Sequence, residues 1–143
     1  MHVTKRLVIA AAAASLLAAC ATLGLDSTRL GGNLSGAQEV PPVSTAGTGT
    51  LEAKLDKSTR KLSYTITYSG LSGPATAAHF HGPAALGQNA GVVVPFANAA
   101  SPIKGETTLT EAQAADLLAG RWYVNVHTAA HPGGEIRAQV TTR

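Results

Sequence analysis

Eight short β-type runs, each closed off by Gly, Pro, Ser or Asn, constrain this chain more than any other feature. They cover Leu34 to Val40, Gly47 to Leu55, Lys61 to Tyr68, Ala75 to His81, Val92 to Phe96, Ile103 to Leu109, Trp122 to His127 and Glu135 to Thr141. Runs of this length at this spacing point to an antiparallel sandwich or barrel. Leu62, Tyr64, Ile66 and Tyr68 alternate with Lys61, Ser63, Thr65 and Thr67, the pattern of a strand with one buried face. The helical segment that the sequence supports is Glu111 to Ala119. Thr110 is placed to cap it, Gln113 completes a capping box, Gly120 stops it, and Ala114, Leu117 and Leu118 form an apolar stripe that bridges two sheets. The expected fold is all-β, an antiparallel Greek-key-like β-sandwich with one short helix.

The N-terminus speaks to location. Lys5 and Arg6 precede an apolar stretch from Leu7 to Ala19 that ends at Cys20, the layout of a secretory signal and too short to span a bilayer. Leu17-Ala18-Ala19-Cys20 resembles the lipobox of bacterial lipoproteins, which implies a signal peptide over 1–19 and a lipidated Cys20 as membrane anchor. Ala21 is not the aspartate that retains such proteins at the inner membrane, so the resemblance implies an outer-membrane lipoprotein of the cell envelope, facing the periplasm or the cell surface. Residues 20–32, ending in Gly31-Gly32, read as a tether, and the domain proper as 33–143.

Loss of Lys5 and Arg6 with the signal leaves nine basic against eight acidic residues. With no basic stripe interleaved with aromatics, nucleic acid is excluded as a partner class. Cys20 is the sole cysteine, so the folded part has neither a disulfide nor a thiolate ligand. Stability must come from a packed core, which about 110 residues can supply. The carboxylates Glu106, Glu111, Asp116 and Glu135 form no paired motif for glycoside hydrolysis, and the Gly-rich segments match neither a phosphate loop nor a dinucleotide fingerprint. Glu135 and Arg137, two apart on a strand, are expected to pair with each other or with a neighbouring strand.

Four histidines remain, in two clusters: His79-Phe80-His81, and His127 with His131. Strand alternation puts His79 and His81 on one face, about 7 Å apart at Cα, from which both imidazoles can converge on an ion about 2 Å from each nitrogen. In the last cluster Trp122, Val124 and Val126 read as core, so Tyr123, Asn125 and His127 share the opposite face, where Tyr123 and Asn125 can orient the histidine. His131 lies in the turn His131-Pro132-Gly133-Gly134 and is the weakest candidate ligand.

Three ordered motifs carry a family resemblance. Ala78-His79-Phe80-His81-Gly82-Pro83-Ala84, Gly120-Arg121-Trp122-Tyr123-Val124-Asn125-Val126-His127-Thr128-Ala129 and Pro132-Gly133-Gly134-Glu135-Ile136-Arg137-Ala138-Gln139 resemble the CHRD domain, named after repeats in chordin, and Leu34-Ser35-Gly36-Ala37-Gln38-Glu39-Val40-Pro41-Pro42 is similar to that family's start. The chain departs from the family where a second glycine is usual near Ala138 and where His131 replaces a common asparagine. The resemblance implies an all-β sandwich, secreted or lipid-anchored bacterial relatives without a settled role, and animal relatives that bind secreted signalling proteins. His79-Phe80-His81-Gly82 also resembles the copper-ligand strand of copper-zinc superoxide dismutases, another sandwich family alongside immunoglobulin-like folds, without their zinc-loop ligands or disulfide.

Ligand chemistry narrows the metal. Blue copper needs a thiolate and soft copper(I) needs methionines, and Met1 is the sole methionine. Imidazoles suit copper(II), favoured by affinity order, or zinc as the alternative. Three function classes stay open: a copper-binding or copper-handling lipoprotein, a metal-free module binding a protein partner through loops such as 82–91 or 98–105, and a superoxide dismutase-like copper enzyme.

Overall fold

The computed structural model describes residues 26–143. The expected signal peptide over 1–19, the expected lipidation at Cys20 and the expected tether as far as residue 25 fall outside the described residues. Strands run over Ser27–Ser35 (β1), Thr48–Asp56 (β2), Lys61–Ser69 (β3), Ala75–His81 (β4), Val92–Pro95 (β5), Ile103–Thr108 (β6), Tyr123–Thr128 (β7), Ile136–Gln139 (β8) and Thr141–Thr142 (β9), with the helix α1 over Glu111–Leu118. The capping box is present: Thr110 accepts from the Gln113 N–H and Gln113 reaches back to the Thr110 N–H.

Two boundaries differ from the sequence reading. The folded unit starts at β1, ahead of Asn33, so residues 27–32 are sheet and not tether. Gly31-Gly32 looked like a chain breaker, yet both are buried strand positions where neighbours come too close for a side chain. A Cβ on Gly32 would lie 2.7 Å from the Gln139 carbonyl oxygen, and one on Gly31 2.8 Å from that of Leu51. The run from Leu34 to Val40 leaves the sheet at Ser35 and turns through a short 3-10 segment, Gly36–Gln38, which carries Glu39 under the sheet. The last run likewise divides into β8 and β9 around Val140, whose N–H goes to the Trp122 carbonyl.

The strands form one antiparallel curled sheet of order β5-β4-β7-β8-β1-β2-β3-β6, with β9 alongside β1. The curl turns at β1. That strand pairs with β2 along its whole length but meets β8 only at Ser35↔Arg137. The two halves therefore face each other as a sandwich. Tyr64 of β3 meets Phe80 of β4 edge-on at 5.1 Å, and Phe96 stacks on Tyr64 at 4.8 Å. Leu51, Leu55, Leu62, Ile66, Val124, Val126 and Ile136 fill the space between and are fully buried, each contributing about 1.5–3 kcal/mol of hydrophobic stabilisation. Helix α1 carries the chain from β6 to β7 with Ala114 and Leu117 turned inward. No helix among the described residues is long and apolar enough to cross a membrane.

Candidate metal centre

The apolar core takes one face of β4, β7 and β8. The other face holds His79 and His81, then Tyr123, Asn125 and His127, then Arg137 and Gln139. Register makes these rows continuous: His79 lies opposite Asn125, which lies opposite Arg137, and His81 lies opposite Tyr123, which lies opposite Gln139. The same register sets His127 opposite Ala77, diagonal to His79, and shifts only beyond it, between Ala77 and Ala75.

This polar face is roofed. Tyr123, Asn125 and Arg137 are 3 %, 2 % and 1 % exposed. The roof consists of the segment after β1 that bears Glu39, the loop 82–91 and the turn 131–134. Loop 82–91 is pinned by the face itself. The His81 Nδ1 lies 3.0 Å from the Ala90 carbonyl, the Tyr123 hydroxyl donates to the same oxygen at 3.1 Å, and Arg137 donates to Asn89 Oδ1 at 2.9 Å and to the Gln88 carbonyl at 2.6 Å. Tyr123 is sandwiched, its ring parallel to His81 at 4.7 Å on one side and the Arg137 guanidinium 3.5 Å from its centroid on the other.

Three of the four candidate histidines come together. One ring nitrogen from each of His79, His81 and His127 lies within 4.8 Å of the others. Hydrogen bonding assigns the tautomers. A carbonyl only accepts, so the proton of His81 is on Nδ1, facing Ala90, and that of His127 is on Nδ1, 2.9 Å from the Pro132 carbonyl. Both rings thereby present a bare Nε2. The His127 Nε2 is 3.1 Å from His79 Nδ1, close to the spacing of about 3.3 Å between two ligands on a tetrahedral ion with bonds of about 2 Å. That pair is at chelating distance. His81 has to approach, because its Nε2 faces Asn125 Oδ1 at 3.0 Å.

Electrostatics keeps the rings available. His79 is held below the usual imidazole pKa, first by burial and then by the neighbouring His127 and His81. His81 is lowered first by burial and further by His127 and Arg137, against hydrogen bonds that favour its charged form. Neutral imidazole is the ligating form. His131 stays apart: it belongs to a tight turn in which its carbonyl accepts from Thr128 and Gly134, and it does not join the cluster.

Glu135 and Arg137 do not pair with each other. Arg137 is taken by the loop, and Glu135, fully buried, accepts from Thr45 Oγ1 at 2.6 Å, the Ser72 N–H at 2.8 Å, Ser72 Oγ at 2.7 Å and Thr128 Oγ1 at 2.6 Å. Burial works against its charge, yet these hydrogen bonds hold its pKa down to about 2. Sequence spacing could not show that three remote hydroxyl residues converge on it.

Sequence reasoning also missed Glu39. It is 5 % exposed, and its Oε1 has no hydrogen-bond partner. Desolvation pushes its pKa up to about 7, against the pull of the Arg137 charge and of the nearby Asn125 amide and Val40 N–H. A lone acid between Gln38 and Val40-Pro41 was the available signal.

These observations define a class: an all-β sandwich domain with a three-histidine cluster on a roofed polar face. The CHRD domain family model matches residues 30–140, and the protein belongs to that family. No curated protein and no solved structure matches the chain.

Proposed function

We propose that this CHRD protein is a cell-envelope metal-binding module that takes one copper or zinc ion on His79, His81 and His127 and is held to the membrane through a lipidated Cys20. The observation that carries the reading is the pair of Nδ1–H groups given to backbone carbonyls by His81 and His127. Metal-ligating histidines are fixed in this way, their outer nitrogen bound to a carbonyl and their inner one left bare. Copper is favoured by affinity order for imidazole ligands. Tyr123, stacked on His81, holds the ring in place, and the Asn125 amide lies beside its Nε2 at 3.0 Å. The residues fit an ion provided His81 turns from Asn125. A bound ion would supply Lewis-acid or redox chemistry, and the chain's own part is to present three imidazoles, His81 buried and His79 and His127 half-buried.

The test is metal content and affinity of the untagged protein against a His79→Ala/His81→Ala double variant. Near-stoichiometric copper or zinc, lost in the variant, is expected and would justify a superoxide dismutation assay. Equal, weak binding by both would refute the reading. One observation favours a second reading, a metal-free module binding a protein partner: among the described residues Leu86 and Val92, 75 % and 51 % exposed, are the exposed large hydrophobic residues and lie in and beside loop 82–91.

A further inference from the structure

The buried carboxyl of Glu39 is not used by the cluster, and its surroundings give it a task. Glu39 Oε1 and Asn125 Nδ2 converge on one point, the place a Cβ would occupy on Gly134, where the backbone has φ +124. Any side chain there would collide with both groups and would also need a conformation that L residues rarely adopt. Glycine keeps the two polar ends facing each other. At its other end Asn125 places Oδ1 3.0 Å from His81 Nε2.

That contact is informative. The Nδ1 of His81 donates to Ala90, so a neutral ring has only a lone pair at Nε2. A lone pair facing an amide oxygen is not a hydrogen bond. It becomes one if the Asn125 amide turns over, which its shape permits because its two ends are the same size. The other end of the amide decides. An ionised Glu39 only accepts, so it favours Nδ2 on its own side, where Nδ2 also donates to the Gly133 carbonyl at 3.5 Å, and leaves Oδ1 toward His81. A protonated Glu39 can donate, so it holds Oδ1 and frees Nδ2 to cap the His81 lone pair.

We propose that Glu39 is a positioning residue that sets which end of Asn125 faces His81, and so whether His81 Nε2 is capped by an N–H or left open to a cation. The inference rests on the metal reading for its cation and on the apo geometry for the amide. With the carboxylate charged, a cation entering the cluster meets a bare nitrogen beside an amide oxygen, both attractive to it. With the carboxyl neutral, the cation must displace a donor. Glu39 is able to hold either state because burial pushes its pKa up to about 7. The groups facing it are the Arg137 guanidinium from β8, the Asn125 amide from β7 and the Val40 N–H from its own segment.

The test has two arms, both on the whole untagged chain at pH 8. In the first, without metal, nuclear Overhauser contacts locate the Asn125 side-chain NH2. In wild type they are expected at the Gly134 Hα. In Glu39→Gln, whose amide can serve either end, they are expected to move to the His81 ring. In the second, zinc affinity is compared. Glu39→Gln is expected to weaken binding about tenfold, as loss of an outer support around a ligand does. In an Asn125→Ala background the same change is expected to alter affinity by less than about twofold, since the coupling runs through Asn125.

A wild-type amide already turned to His81 overturns the proposal without any variant. So does an unchanged zinc affinity in Glu39→Gln, or an undiminished effect in the Asn125→Ala background. If wild type binds no zinc, the metal reading falls by itself, and the NH2 contacts still decide the role of Glu39: movement in Glu39→Gln upholds it, no movement overturns it.

Discussion

Replacing Glu39 by glutamine should stabilise the protein, and only at high pH. The folded state raises this carboxyl from 4.5 to about 7, chiefly by removing it from water. That difference corresponds to about 3 kcal/mol of preference for the neutral form. The sign follows from the direction. A raised pKa means that the folded state binds the proton more tightly than the unfolded chain. The contribution is therefore full below pH 4.5 and is lost as pH rises through about 7. Glutamine mimics the protonated acid at every pH. Wild type and Glu39→Gln should be nearly equal near pH 4, diverge above 5, and differ by up to about 3 kcal/mol in favour of the variant by pH 9. Urea unfolding followed by circular dichroism, with a chelator present to remove metal linkage, gives the difference at each pH, and an unchanged m-value shows that the unfolded state is comparable. A difference that is flat from pH 4 to 9, or that favours wild type at high pH, would refute the argument. The same substitution is expected to weaken zinc binding, so wild type keeps the less stable residue where the site needs it.

Glu135 should behave in the opposite way. Its stabilisation is present above pH 4.5 and lost as pH falls through about 2, and Glu135→Gln should cost about 2–3 kcal/mol near neutrality by removing charge from its hydrogen bonds, a cost that fades on acidification in the same unfolding assay. Metal affinity should hold down to a lower pH than a free imidazole would allow, because His79 and His81 are lowered below 6.5; a competition titration with loss beginning well above pH 6.5 would contradict this. Tyr123→Phe removes the hydroxyl that both donates to the Ala90 carbonyl and accepts from the Ala90 N–H. Amide exchange should then speed up in loop 82–91 more than in β2 and β3, whereas a uniform change would mean that Tyr123 does not anchor the loop. Gly105→Ala should cost about 1–3 kcal/mol by thermal or urea unfolding, since its Cβ would drive into the Tyr64 ring packed over it.

Local periodicity carried the strands and half of the site. Period-two alternation placed Leu62, Tyr64 and Ile66 inside, and it put His79 with His81 and Tyr123 with Asn125 and His127 on the faces they occupy. These are short-range facts. The convergence of His127 on the pair depends on β4 pairing with β7 in one particular register, about fifty residues apart, which spacing alone could suggest but not establish. Glu39 and Arg137 were out of reach for the same reason: their partners come from other strands and loops. Gly31-Gly32 misled because glycine serves a turn and a close backbone approach equally well, and only the neighbours at Leu51 and Gln139 distinguish the two.

The seam strand β1 also fixes where the domain can be held. Arg143, the last residue of the sequence, gives its N–H to the Arg29 carbonyl at 3.0 Å, so the described chain enters and leaves at one end of β1. Ser35, at the other end, is level with Arg137, Asn125 and His79 across the sheet. Six residue steps lead from Arg29 to Ser35, about 20 Å at 3.3 Å per residue. A surface, fusion partner or short linker joined at either terminus therefore lies on the side away from the histidines, and a circular permutant joining residue 143 to residue 26 would leave the polar face untouched.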